Sequence, residues 1–342
     1  MSQETEQPAP PPHVQVIQMA TGYWVSRIIY AAAKLDLADR LAGGPKSAAE
    51  LAGPTETHAP SLHRLMRALA ALGLLTGKDG KRFALTPLGE TLKTGAPGSA
   101  RATVLTLGGP FGWKAWEELL HSVKTGKTGF EKAFGMGAFD YLAKHPDEAS
   151  LFSETMIGVH GEEPATVAEA YDFSKHQVVA DIGGASGSML AAILTRHKAP
   201  KGLLFDLPHV VRDAPAILKA RGIVDRVRIE SGSFFETVPS GADCYFLSHI
   251  IHDWSEAQCL TILGHCRKAV PAGGRLLICE MVLPPGDAFH PGKILDITML
   301  VMPGGQERTP EEYADLLGKA RFRMERVIPT ASAVSLVEAV PV

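Results

Sequence analysis

The sequence predicts an α/β protein: a doubly wound, parallel-rich sheet preceded by a mostly helical, winged-helix-like region. Two patterns carry that expectation. From Gln177 onward, short apolar runs alternate with helical stretches, the order that lays parallel strands under helices on both faces. Before it, apolar residues recur at three- and four-residue spacing, interrupted by one short hairpin. The chain has 342 residues, enough for two domains or one large one at roughly 150 residues each.

Composition excludes several classes. With 45% hydrophobic residues and 34 Lys+Arg against 37 Asp+Glu, the chain reads as globular, not disordered. Its formal charge of −3 argues against a general polyanion binder. No apolar run reaches the ~20 residues of a membrane helix. The opening MSQETEQPAPPP is acidic and Pro-rich, unlike a secretory signal. Residues 1–13 are therefore expected to form a disordered tail, and the protein to be cytoplasmic. Cys244, Cys259, Cys266 and Cys279 include no C-x-x-C pair, so neither disulfide scaffold nor zinc site is expected. Cys259, Leu263, Cys266 and Val270 share one helical face, which makes these thiols small core residues.

Residues 14–100 read as three helices and a hairpin. The first is VIQMATGYWVSRIIYAAAKLDLADRL, broken at Gly43-Gly44-Pro45; SAAELA and APSLHRLMRALAALGLL follow, the last closed by Gly73. TGKDGKRFALTP supplies two extended arms around a D-G turn. Such an order admits DNA binding, with His63, Arg64 and Arg67 on the third helix and Lys78, Lys81 and Arg82 on the wing. That helix is otherwise Leu- and Ala-rich, so a scaffold or dimerisation role is the preferred reading. Residues 101–172 are helical, with Gly-containing loops. Then VVADIGG, GLLFD, VRIESGSFF, CYFLSHI and GGRLLICEMVL read as strands, separated by SMLAAILTRH, VVRDAPAILKARGI and a helix opened by a capping box at Ser255 and Gln258. PEEYADLLGKARF is a final helix.

Ligands of such sheets bind at the carboxyl ends of the strands. The loop Asp181–Ser188, D-I-G-G-A-S-G-S, offers Gly183, Gly184 and Gly187 for close backbone approach at a helix N-terminus. A dinucleotide fingerprint needs glycine at 183, 185 and 188, where Gly183, Ala185 and Ser188 stand, so that reading fails, and no P-loop occurs. Asp206 ends the next strand, where a carboxylate grips ribose hydroxyls. A nucleoside with a free ribose is the ligand class.

VVADIGGASGS, LLFDLPHVV, ESGSFFE, HIIHDW, GGRLLICEMVLP and MPGGQERTPEEY resemble, in this order and spacing, the small-molecule O-methyltransferases that use S-adenosylmethionine. These are the caffeate, flavonoid and acetylserotonin O-methyltransferases and their bacterial relatives. The resemblance spans nearly the whole chain. It implies a Rossmann-like class I methyltransferase domain over 173–342, a dimerisation domain over 14–100 and a helical linker, 101–172, contributing to the acceptor pocket. It also implies a homodimer acting on a small aromatic molecule, with no nucleic acid, membrane or metal partner, and S-adenosylhomocysteine as the spent cofactor.

By position, the resemblance assigns Asp181, Gly183 and Gly184 to the loop holding the methionine part of the cofactor. Asp206, with Leu207 beside it, falls at the ribose and Phe234 at the adenine. Ser233 stands where the family often has Asp, and Ser248 where it often has Lys or Arg; both are expected as altered cofactor contacts. Ala185 replaces a frequent Gly. Removing a phenol's proton calls for a base near neutral pKa, which favours histidine. On residue chemistry alone His249 and His252 are equivalent; the resemblance selects His252, in H-D-W. Glu280 ends the next strand and Glu307 follows a loop toward the same edge, and both match the family's glutamates that orient the base. Met156, Met299, Met302 and Asp253 match positions around the acceptor; Met302 replaces a family Asn. The competing readings are a relative that binds the cofactor for hydroxylation or decarboxylation, and a ligand-sensing DNA-binding regulator.

Overall fold

The structure, a computed structural model, describes residues 10–77, 79–96 and 98–342. They form two compact units, one within Met1–Trp113 together with Leu142–Val159, the other Lys114–Tyr141 with His160–Val342. The helical stretch 101–172 is thus shared between the two. Of the expected tail, residues 1–9 lie outside the described residues, and a helix, Pro12–Ala20, already begins before its end. Proline at the first helical position costs no hydrogen bond there.

In the first unit, helix Ala59–Ala71 buries Leu62, Met66 and Leu69 against a core that includes Leu37, Leu41, Leu51 and Phe83. Arg64 and Arg67 stay on its exposed face. Strands Leu75–Thr76 and Arg82–Leu85 form the expected antiparallel hairpin, and Lys46–Ser47 pairs with the outer side of the second arm. The hairpin turn is fastened by Asp79, whose Oδ1 accepts the backbone N–H groups of Lys81 and Arg82. Lys78 lies outside the described residues.

The second unit is built on seven strands: β1 (Val178–Ile182), β2 (Lys201–Asp206), β3 (Val227–Ser231), β4 (Cys244–Ser248), β5 (Arg275–Glu280), β6 (Phe322–Pro329) and β7 (Ser335–Pro341). Their order is β3-β2-β1-β4-β5-β7-β6, with β1 to β5 parallel and the β7 and β6 pairings antiparallel. The central strands are buried on both faces, so β1, β2, β4 and β5 are nearly continuous apolar runs. Helices cover one face through Leu263, Cys266, Tyr313 and Leu317, and the other through Leu190, Leu194 and Leu218. All four cysteines are fully buried free thiols, consistent with a packing role.

Chain reversal at the sheet's centre puts the carboxyl ends of β1, β2, β4 and β5 along one edge. Polar residues gather there: the 183–188 turn, Asp206, the Ser248–Asp253 segment and Glu280. The turn after β1 alternates left-handed residues, with φ of +74° at Gly183, +48° at Ala185 and +80° at Gly187. Two are glycines; the third is not, so the departure at 185 is a strained backbone position. Ala185→Gly is expected to raise stability by about 0.5–1 kcal/mol, the left-handed strain relieved less the extra freedom of glycine in the unfolded chain. Urea denaturation of the two proteins measures it, and an unchanged or lower midpoint would contradict the strain.

Candidate active site

Close packing, and at Gly183 a left-handed backbone as well, favours glycine at two positions. A Cβ at Gly183 would lie 2.5 Å from Ile250 Cδ1, and one at Gly184 the same distance from Asp181 Cγ. The turn is therefore a bare backbone cradle over a buried carboxylate. Burial, and then the neighbouring Asp206, push Asp181 up to about 7. Half-buried Asp206, at the end of β2, accepts the backbone N–H of Ala185 at 2.9 Å and of Leu207 at 2.6 Å. Those bonds fix its carboxylate and leave acceptor capacity for a ligand hydroxyl. Leu207 beside it is exposed. Phe234 brings its ring to the same turn, with Cε1 3.4 Å from where a Cβ of Gly183 would be. Ser233 uses its Oγ locally, accepting the Phe235 N–H at 3.2 Å, and Ser248 is half-buried at the end of β4. A side-chain-free cradle, a fixed carboxylate one strand away and a flat aromatic face fit a nucleoside carrying a flexible tail.

Beyond β4 the chain turns sharply through His249, at φ +53°, into a short helical turn, Ile251–Asp253. His252 is 6% exposed. Its Nδ1 faces Glu307 Oε1 at 2.7 Å, while Nε2 lies 3.7 Å from Asp253 Oδ1, outside hydrogen-bond range. Glu280 makes no hydrogen bond to the ring. Its Oε1 accepts the backbone N–H of His252 at 3.1 Å, and its Oε2 accepts the Tyr313 hydroxyl. The two glutamates thus divide the work: Glu307 holds the imidazole and Glu280 the peptide that carries it. Glu307 is held in turn through its own N–H, donated to Asp296 Oδ1 at 2.9 Å. Buried Arg308 donates to the carbonyl of Ile251 at 3.2 Å.

Burial by itself would push His252 down, but the carboxylates of Asp253, Glu280 and Glu307 outweigh it and raise the imidazole to about 10. Asp253 rises to about 6, driven by burial and opposed by His252. Glu307 is also raised by burial against the pull of His252. Its Oε2 is buried without a hydrogen-bond partner.

Met299 and Met302 are buried at the end of helix Pro291–Val301, shortly before Gly305, which packs on the His252 turn. Met156 is half-buried in the first unit. Gly305, Tyr313 and Asp296 carry no site signal in the sequence beyond the P-G-G run. A Cβ at Gly305 would sit 1.9 Å from the His252 carbonyl oxygen, a backbone-to-backbone approach that only glycine allows. Tyr313 and Asp296 look like ordinary helix residues until the fold brings them to Glu280 and Glu307.

Comparison with known proteins agrees with this architecture. Residues 116–323 match the O-methyltransferase domain family, and residues 17–95 the O-methyltransferase dimerisation domain. A phenazine O-methyltransferase of Lysobacter antibioticus is 44% identical over 327 residues, 96% of each chain. A phenazine-1-carboxylate N-methyltransferase of Pseudomonas aeruginosa is 33% identical, over 92% of each. The crystal structure of NcsB1, an O-methyltransferase from neocarzinostatin biosynthesis in complex with S-adenosylmethionine and 2-hydroxy-5-methyl naphthoic acid, superposes with TM-score 0.82. It is 32% identical and covers 93% of this chain and 96% of that one. The chain belongs to the S-adenosylmethionine-dependent O-methyltransferase family, with a class I methyltransferase fold behind a helical dimerisation domain. S-adenosylmethionine is its cofactor.

Two outcomes follow from the geometry. Gly305→Ala forces the His252 peptide to move, so methyl transfer should fall by about 10²-fold while cofactor affinity, measured calorimetrically, changes little. Because the folded pKa of His252 stands above its ordinary 6.5, its stabilisation is complete below that pH and is lost as pH climbs toward about 10. Urea midpoints should therefore fall between pH 7 and 9, and His252→Gln should flatten that slope. An equally steep loss in the variant would sink the linkage.

Proposed function

We propose that this enzyme transfers the methyl group of S-adenosylmethionine to a phenolic hydroxyl of a small aromatic acceptor, with His252 as the base. The observation carrying this reading is the 2.7 Å pairing of His252 Nδ1 with Glu307, which leaves Nε2 without a hydrogen bond for the acceptor. In the cofactor half, Asp181, Gly183 and Gly184 form the cradle for the methionine tail and Asp206 takes the ribose. Phe234 covers the adenine, with Leu207, Ser233 and Ser248 at the margins. Met299, Met302 and Asp253 border the acceptor. The relatives' names support a flat acceptor, since one acts on a phenazine and NcsB1 holds a hydroxynaphthoic acid. The matched dimerisation domain and the exposed Val16, Ile17, Met19 and Trp24 support a homodimer.

Bound, the cofactor supplies a methyl carbon made electrophilic by its sulfonium. The protein's own work is to hold the acceptor oxygen in line and to take its proton onto Nε2 as that oxygen becomes nucleophilic. Glu307 keeps Nδ1 protonated and stabilises the imidazolium that results. A phenol's pKa is about 10, close to the raised value of His252, so the proton passes between matched groups. Only the ring that has lost its Nε2 proton can act, so kcat/KM should rise with pH between 6 and 9.

Transfer of labelled methyl to a panel of hydroxylated naphthalenes, phenazines, catechols and phenolic acids tests the reading. Wild type should methylate at least one class at oxygen. His252→Gln should lose about 10²–10⁴-fold in kcat with cofactor binding retained. Undiminished turnover in the variant would remove His252 as the base, and cofactor binding with no transfer to any acceptor would overturn the reaction.

A further inference from the structure

Next to the base stands a second group of polar side chains that the methyl-transfer chemistry does not use. His160 and His249 stack face to face, with ring centroids 4.2 Å apart and planes 14° from parallel. His249 Nε2 lies 2.7 Å from Oε1 of Glu163, itself only 9% exposed. The His249 ring is 5.3 Å from that of His252 and tilted 51° to it. The backbone of His249 is left-handed and anchored by its N–H to the Cys279 carbonyl at 3.1 Å. A non-glycine residue held there, with its ring fixed from both sides, is strain kept at a functional position.

The cluster suits neither a metal nor an anion. The ligating atoms of His160, Glu163 and His249 lie within 4.8 Å of one another, but nearly parallel rings direct their in-plane lone pairs side by side. They do not converge on a point about 2.0–2.1 Å from each nitrogen. Burial, then His249, hold His160 down at about 4, so it is a neutral ring at physiological pH. Glu163 at His249, with Asp253, Glu280 and Glu307 around His252, disfavours a carboxylate ligand. What remains is a hydrogen-bonding edge in which the His160 ring is neutral. Among the described residues the ring nitrogens of His160 have no hydrogen-bond partner, and His249 keeps Nδ1 once Nε2 is given to Glu163.

We propose that His160 and His249, locked by Glu163, form a second recognition point for the acceptor: they bind an uncharged polar group ortho or peri to the hydroxyl that is methylated. A neighbouring hydroxyl, carbonyl or ring nitrogen lies within hydrogen-bond distance of the reacting oxygen. One acceptor can therefore present the pair across the gap between the His252 and His249 rings. The inference rests on the reading of His252 as the base and adds the substrate class: vicinally substituted hydroxyarenes, not isolated phenols or hydroxy acids.

The test uses matched acceptors on the full-length protein with S-adenosylhomocysteine or S-adenosylmethionine bound and EDTA present: 8-hydroxyquinoline against 1-naphthol, and catechol against phenol and salicylate. Binding is read by fluorescence titration and transfer by labelled methyl. Wild type should bind 8-hydroxyquinoline and catechol about tenfold more tightly than 1-naphthol and phenol, the worth of one hydrogen bond, with salicylate weaker than catechol. His160→Phe keeps the stack but removes the nitrogens, and His249→Asn tolerates the left-handed backbone. Each should bring those ratios to within about threefold of one, through KM more than kcat. A wild type that does not discriminate, that prefers salicylate or that binds none of these would overturn the proposal. So would variants that weaken both members of a pair equally. Discrimination in binding without methyl transfer to any member would uphold the subsite and overturn the proposed reaction instead.

Discussion

The bond on which the site depends is the one made by the carboxylate of Glu280 at the end of β5. It is fully buried, and an ionised carboxylate in that position is expensive unless its oxygens are satisfied. Its oxygens accept the His252 peptide N–H and the Tyr313 hydroxyl, so one group joins the segment after β4 to the helix Pro310–Lys319. That helix begins right after Glu307 and Arg308, and its N-cap, Thr309, is part of a capping box with Glu312. Sheet edge, base and the loop that carries the ring's partner are therefore tied through a single buried side chain. Loss of that carboxylate disturbs the peptide and the loop together, whereas loss of Glu307 leaves the peptide in place and frees only the ring.

Much of this was legible in the sequence because it depends on period and strand-end position. The alternation from Gln177 onward located β1 to β5; β1, β2, β4 and β5 are buried on both faces and leave unbroken apolar runs, while β3, at the sheet edge, is half-exposed. The same argument brought His252 and Glu280 to one edge, because strand ends in a parallel sheet align. The antiparallel pair β6 and β7 lies outside that alternation. FRMERVIP interleaves charges with apolar residues on a sheet-edge strand, where one side meets solvent, and so carries no buried-strand signature. Which glutamate reaches the ring was equally hidden. It depends on the fold of 302–308, and there the deciding residue, Gly305, acts by having no side chain.

The first unit illustrates a different limit. Its helices and hairpin were readable from spacing and the D-G turn, and an exposed face with Arg64 and Arg67 is present. Architecture alone admits either DNA or a protein partner as the occupant of such a face. The match of residues 17–95 to the dimerisation domain supplied what the pattern lacked.

The four thiols have a consequence beyond packing. Cys244, Cys259, Cys266 and Cys279 lie on β4, β5 and the helix Glu256–Ala269, all in the middle of the sheet layer. Burial raises each of them, Cys259 to about 11 and Cys266 to about 12, so neither access nor thiolate is available in the native state. Alkylating reagents can reach them only when that layer opens. The molecule therefore carries its own clock for excursions of the catalytic sheet. The rate at which all four are modified reports how often the nucleotide-binding half comes apart, whatever the first unit is doing at the time.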